Sequence, residues 1–316
     1  MGEFYIANEY WFSVFQLVTA MIGMGATLTL KDFRELLLEP KAVASGIGIQ
    51  MILVPLLALA TISVFGLAGG IAVGIALISA VPGGSTSNIF THFAGGNIAL
   101  SVAITAVTTL ACLVSTPIVL ELLISSYMPA EFVMPKGQIM REIALTLLFP
   151  LALGMLILRL FPAIAETFSK TCIRLSLLGL LAIVVGAASS GRLDLNAFGF
   201  GNVALVVGFI LAITLISWLM SWGVLRLSKR DSIAVDMEVA VRNINLGLML
   251  KAIILPAVVG QKDPVGDTVL LALLLYGGVM LFVAGGLIAL HRLSGNTQQP
   301  GNTQQHGNSQ PPVGGV

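Results

Sequence analysis

Charge is scarce in this chain. Only 10% of its 316 residues are Asp, Glu, Lys or Arg, whereas about 25% is usual in a soluble domain. Hydrophobic residues make up 57% and the mean hydropathy is +0.98, which excludes a soluble fold of 33.1 kDa. The formal net charge is +1 and no basic patch is interleaved with aromatics, so nothing here suits a nucleic acid, and no protein partner is implied. Cysteine is nearly absent. Cys112 and Cys172 stand in separate apolar segments without CxxC spacing, which excludes a redox pair or thiolate metal site and leaves packing as their role. Histidine is equally rare: His92 lies by a loop, His291 at a helix end and His306 near the C-terminus. No His/Cys/Asp/Glu group has metal-ligand spacing and no nucleophile stands beside a base, so the chain does not read as an enzyme.

Long apolar runs are what the chain does have. A bilayer-crossing helix needs about 20 such residues, and spans are expected at 10–30, 42–66, 71–94, 98–125, 142–161, 172–190, 202–227, 232–256 and 268–291. Residues 1–9 read as a short polar lead-in, without the basic region or cleavage site of a signal peptide. From Gly295 a Gly-Asn-Thr/Ser-Gln pattern recurs without aromatics or charge, so 295–316 is expected to be a disordered tail. With the N-terminus outside, the inner side carries Lys31, Arg34, Lys41, Arg159, Lys170, Arg174, Arg226, Lys229, Arg230 and Arg292. The outer side carries Lys136, Arg141, Arg192, Lys251 and Lys262. The positive-inside rule then favours N-out and C-in, in the inner cell membrane with lipid around it.

One stretch contradicts its surroundings. Asp236-Met237-Glu238-Val239-Ala240-Val241-Arg242-Asn243-Ile244-Asn245 lies within an apolar span yet carries two acids, an arginine and two asparagines. Each ionised side chain near the bilayer centre costs at least about 3 kcal/mol, so such groups pair, face a cavity or bind something. Glu238 and Arg242 are four apart with the acid first, the favourable order for a helical ion pair, and a packing salt bridge is the plain reading. The asparagines, which favour an unwound helix, point instead to an ion or anion site. The first half has its own interruption, Pro82-Gly83-Gly84-Ser85-Thr86-Ser87-Asn88. Proline removes a donor and glycine weakens helical bias. Broken helices at corresponding places in two halves are the mark of inverted-repeat transporters.

Four motifs give a resemblance. Gly23-Met24-Gly25-Ala26-Thr27-Leu28, the 82–88 motif, Asn97-Ile98-Ala99-Leu100-Ser101-Val102-Ala103-Ile104-Thr105 and Glu238 to Asn243 are similar to those of the bile acid:sodium symporter family, over about Phe12 to Arg292. The resemblance implies an all-α membrane protein with two inverted repeats, a core domain holding two crossing broken helices, and a panel domain. The first repeat, residues 1–125, would have four helices, one fewer than ten-helix members, and the second, residues 126–294, would have five. It implies a first sodium site at Ser87, Asn88, Ser101, Thr105 and Glu238. Hydroxyls, an amide oxygen and a carboxylate suit a hard monovalent cation.

At the second sodium site the pattern departs. The family would use Gln50, Glu238, the carbonyls near Val239 and Val241, and a glutamine where this chain has Arg242. An arginine has no acceptor and a fixed charge, so the expectation is that Arg242 replaces the second sodium and pairs with Glu238. The alternative role is a bidentate clamp on a substrate carboxylate. The resemblance implies transport of an organic anion, bile-salt-like or a small carboxylate such as pantoate, with Ser85, Thr86 and Asn243 beside the breaks as contacts. Tyr276-Gly277-Gly278 stands where relatives present polar side chains, which suggests a roomier pocket or merely close helix packing. Sodium-independent or proton-linked transport, with Glu238 titrating, is the alternative coupling.

Overall fold

The computed structural model describes residues 2–29, 40–84, 86–127 and 132–296. Ser85, the charged loop around Lys31 and Arg34, and the tail from 297 lie outside the described residues. The described residues form helices with one isolated β-bridge between them. The elements are α1 (Gly2–Gly25), α2 (Pro40–Val64), α3 (Gly69–Ala80), α4 (Thr86–Phe93), α5 (Ile98–Ile124) and α6 (Lys136–Leu160). They continue with α7 (Pro162–Ser189), α8 (Leu195–Val224), α9 (Lys229–Ala240), α10 (Ile244–Ile254) and α11 (Pro264–Asn296). Six of these, α2, α5, α6, α7, α8 and α11, are long and apolar enough to cross a membrane.

The ends of the helices follow from local chemistry. The side chains of Asn97, Asp194, Ser228 and Asn243 accept backbone N–H groups at the starts of α5, α8, α9 and α10, serving donors with no intrahelical partner. Proline acts within helices too. Short π-helical stretches at Ile49–Leu53 in α2 and Ala144–Leu148 in α6 directly precede Val54-Pro55 and Phe149-Pro150. A missing N–H leaves a carbonyl unserved one turn back, and the helix widens there.

Two packing groups result. Helices α1, α6 and α7 pack on one another, and α2 to α5 pack with α8 to α11; α1 against α10 and α5 against α6 join the groups. Outward positions such as Leu177, Leu178 and Leu181 on α7 are exposed leucines, as a lipid-facing surface requires. Glycines set the tight approach of α1. A Cβ at Gly25 would lie 2.0 Å from the Leu151 carbonyl oxygen, and one at Gly186 would lie 2.5 Å from the Tyr5 ring. Small residues permit such contact between membrane helices, where there is no hydrophobic drive to press them together.

Residues 1–9 are not a polar lead-in. Residues 2–9 form the first turns of α1, with Tyr5 and Glu9 buried and continued by Ser13 and Gln16 on one face. Arg192, in the turn between α7 and α8, and Lys251, in the last turn of α10, are likewise buried rather than exposed loop charges.

The α1 contact gives a direct test. Gly25→Ala forces the backbone of α1 away from α6 and is expected to cost about 1–3 kcal/mol. Gly208→Ala on α8, where a Cβ meets nothing within 4 Å, should be neutral or gain up to about 1 kcal/mol. Thermal unfolding of the two variants in detergent separates them.

Candidate functional site

Both interrupted helices stop at the same place and repair one another. The Gly84 N–H donates to the Val241 carbonyl and the Asn243 N–H to the Pro82 carbonyl, each at 2.9 Å, giving the antiparallel bridge between Gly83 and Arg242. Gln50 of α2 closes the junction. Its Oε1 accepts the Gly83 N–H at 3.0 Å and its Nε2 donates to the Glu238 carbonyl at 2.9 Å. A side chain at Gly83 is impossible without rearrangement, because its Cβ would lie 2.4 Å from Glu238 Oε2.

The crossing brings Ser87, Asn88, Ser101, Thr105 and Glu238 together. Glu238 is fully buried, and its Oε1 accepts hydrogen bonds from the hydroxyls of Ser87, Ser101 (2.6 Å) and Thr105 (2.8 Å). Thr105 is also 2.8 Å from Oε2, and Ser101 lies 2.8 Å from the Asn88 amide oxygen. Ser101 and Thr105 share one face of α5, as their spacing predicts. Back-bonding occurs as well: Thr105 Oγ1 is 3.0 Å from the Ser101 carbonyl and Ser87 Oγ is 2.6 Å from that of Gly84.

The expected Glu238–Arg242 pair is not formed. Helix α9 ends at Ala240, so Arg242 is not one turn along from Glu238 but inside the break. Its Nη1 donates to the Val81 carbonyl at 3.0 Å and its Nη2 to the Gln50 carbonyl at 3.4 Å. Buried Nε has no hydrogen-bond partner. Of the other second-site residues, the Val241 carbonyl is occupied by the Gly84 N–H and Val239 is a buried residue of α9. Tyr276 is fully buried and donates to the Ala240 carbonyl at 2.9 Å, holding the C-terminal end of α9.

The substrate candidates are dispersed around the breaks. Thr86 begins α4, half-buried, while Asn243 caps α10 by accepting the Leu246 N–H at 3.2 Å. Close packing does not explain the paired glycines of α11. A Cβ at Gly278 meets nothing within 4 Å, and one at Gly277 makes ordinary contact with Ile244 at 3.6 Å. A small cleft adjoins the break, lined by Arg242 with Gln50, Ser79, Thr108 and Ser115.

A second polar centre went unassigned in the sequence. Asp236, fully buried, accepts from Ser217 (2.6 Å), Ser221 (3.0 Å) and the indole N–H of Trp222 (3.1 Å). The Ser217/Ser221 spacing of four residues on α8 was a usable signal. A third centre, around Glu9 and Lys251, had only the Tyr5-Glu9-Ser13-Gln16 stripe to announce it.

Apolar helices of spanning length around a buried polar crossing define a multi-pass membrane protein, with the layout of a transporter. Residues 14–197 match the Sodium Bile acid symporter family. The chain belongs to that family, whose members are transporters and not enzymes. It is 33% identical over 239 residues to the "Uncharacterized sodium-dependent transporter YocS" of Bacillus subtilis (strain 168), covering 73% of this chain and 70% of that one. It is 30% identical over 239 residues to the "Probable sodium/metabolite cotransporter BASS1, chloroplastic" of Oryza sativa subsp. japonica, covering 73% and 55%. The Arabidopsis thaliana protein of the same name is 30% identical over 236 residues, covering 74% and 57%. The chain thus spans little more than half the length of these chloroplast relatives. The family match ends before α9, so Glu238 and Arg242 lie beyond it.

Asp236 offers a stability test. Asp236→Leu removes the acceptor shared by Ser217, Ser221 and Trp222. Ser221 keeps the Trp218 carbonyl, so the buried Ser217 hydroxyl and the half-buried indole N–H lose theirs, at about 1–3 kcal/mol for a buried group left unsatisfied. Asp236→Asn keeps one acceptor oxygen and should lose less. Thermal unfolding reads the order, and a changed emission of Trp222 in the leucine variant alone reads the cause.

Proposed function

We propose that this protein is a secondary active transporter of an organic anion, bile-salt-like or a small carboxylate such as pantoate, working by alternating access with sodium as the coupling ion. The observation that carries the reading is the set of oxygens gathered at the crossing. The hydroxyls of Ser87, Ser101 and Thr105 stand within hydrogen-bond distance of the Glu238 carboxylate, and Ser101 also of the Asn88 amide oxygen. A hard cation exchanged for those hydrogen bonds would meet hydroxyls, an amide oxygen and one carboxylate, and an oxygen-only set around one negative charge suits a monovalent one. The printed names of the relatives, sodium-dependent and sodium/metabolite, support the same ion.

Arg242 supports a count of one sodium at this site. Its guanidinium points at the carbonyls of Val81 and Gln50, a set that would otherwise suit a second cation. In this reading Arg242 is a tethered stand-in for a second sodium, held at the Val81 and Gln50 carbonyls beside the expected set of Gln50, Glu238, Val239 and Val241, and its aim favours that over a clamp on substrate. Ser85, Thr86 and Asn243 beside the breaks remain the contacts for the anion, with the open space at Gly278 enlarging its pocket. Two inverted repeats, 1–125 and 126–294, each supply one broken helix. The group α1, α6 and α7 is the panel that moves against the core. An N-out orientation in the cell membrane completes the proposal.

Proteoliposomes test it with pantoate and a bile salt as probes. Uptake should need an inward sodium gradient that potassium does not replace, and Ser101→Ala should weaken sodium activation about tenfold, or about 1.4 kcal/mol. Equal uptake in sodium and potassium that follows an imposed proton gradient would transfer coupling to protonation of Glu238. Arg242→Gln should steepen the sodium dependence by one further ion. An unchanged sodium stoichiometry in that variant would end the stand-in reading.

A further inference from the structure

At the end of the molecule where α1 begins, three buried charges and one half-buried charge, from four segments, meet. Lys251, in the last turn of α10, has its Nζ 2.9 Å from both oxygens of Glu9 on α1. Arg192, in the turn between α7 and α8, places Nη1 2.9 Å from Glu9 Oε1 and donates through Nε to Asp267 at the start of α11. Lys251 is fully buried and the side chains of Glu9 and Arg192 are 5% and 6% exposed. Arg192 Nη2 is buried with no hydrogen-bond partner.

Two features set this group apart from a packing salt bridge. First, it joins the two packing groups: Glu9 belongs with α6 and α7, whereas Lys251 and Asp267, on α10 and α11, belong with α3. Secondly, the two cations converge on one carboxylate and leave a donor spare, which is the chemistry of a carboxylate receptor already filled. Breaking one partner out of a buried pair is strongly unfavourable because it strands a charge. The groups therefore separate readily only when another carboxylate takes Glu9's place.

We propose that Lys251 and Arg192 form a carboxylate-binding site at this end of the molecule, that Glu9 occupies it to latch α1 against α10, and that a carboxylate-bearing organic anion releases the latch by exchanging with Glu9. This rests on the organic-anion reading above and adds where the anion is first received. The exchange is charge-neutral, one carboxylate for another. It lies on α10 eight residues from Asn243, so an anion received at Lys251 is on the helix that leads to the crossing.

The test uses the full-length protein in nanodiscs and equilibrium dialysis with radiolabelled pantoate. Glu9→Gln, which keeps the shape and removes the competing charge, should tighten pantoate binding at least tenfold, and adding Lys251→Met should abolish the gain. An unchanged affinity in Glu9→Gln, or a gain that survives loss of Lys251, would overturn the proposal. A second readout is independent of binding and of transport. A cysteine at the buried Ser13, one turn along α1 from Glu9, should react with a membrane-impermeant thiol reagent faster in Glu9→Gln and in parent plus pantoate. The charge-exchanged pair Glu9→Lys with Lys251→Glu should be protected again, which guards against simple misfolding; equal reactivity in all of these overturns the latch. If Glu9→Gln behaves as expected while uptake ignores sodium, the latch stands and only the coupling reading falls.

Discussion

Backbone hydrogen bonding at membrane depth is the constraint from which the site follows. A helix that stops inside a membrane leaves N–H and C=O groups that have no water to serve them. Here two helices stop together, and the Gly84 and Asn243 N–H groups find the Val241 and Pro82 carbonyls across the crossing. Gln50 serves a further donor and a further acceptor from a third helix. The crossing is therefore fixed by backbone, by the Gln50 amide and by Arg242 and Tyr276 on neighbouring carbonyls, and it leaves the Glu238 carboxylate to the hydroxyls. Gly83 is part of that geometry, since a side chain there would occupy the volume of the Glu238 carboxylate.

The break also decides what the two charges do. Had the helix run on from Ala240, Glu238 and Arg242 would have faced each other one turn apart and neutralised one another. Ending it there turns Arg242 toward the carbonyls of Val81 and Gln50 and leaves the Glu238 carboxylate with three neutral hydroxyls. Neutral donors stabilise a carboxylate without cancelling its charge, so no fixed cation neutralises Glu238 at the crossing. Two opposite charges on adjacent turns are kept separate by the loss of a few helical hydrogen bonds that the crossing replaces.

Much of this was legible because it is local. Proline followed by two glycines, and asparagines after a charged turn, weaken a helix wherever they stand, and both breaks fall inside the stretches so marked. The Ser101/Thr105 face follows from the helical period. What was not legible involves partners far along the chain. Glu238 and Arg242 have the spacing of a pair, and only the termination of α9 at Ala240 shows that they are not one. Glu9 meets Lys251 across 242 positions, and no window of sequence holds both. The misreading of residues 1–9 as a lead-in came from weighing polarity before period. Tyr5, Glu9, Ser13 and Gln16 are a helical stripe, and a polar stripe on an otherwise apolar helix marks a face turned to protein. Asp236 was hidden for a similar reason, its three donors lying on α8, fourteen to nineteen residues earlier.

The two kinds of contact around α1 divide the molecule mechanically. Toward α6 and α7, α1 packs through glycine, with backbone against backbone or ring at Gly25 and Gly186. Such contacts have one good geometry and worsen steeply on displacement, because close-packed atoms repel within a few tenths of an ångström. Toward α10 the described contacts include charge pairs, and a charge pair keeps most of its energy when one carboxylate is exchanged for another. Under the proposed movement of α1, α6 and α7 as one body, the joint that must open is the ionic one, and it opens at low cost only where a second carboxylate replaces Glu9. The spare donor of Arg192 sits in that joint and not among the glycines, which is where the proposed exchange needs it.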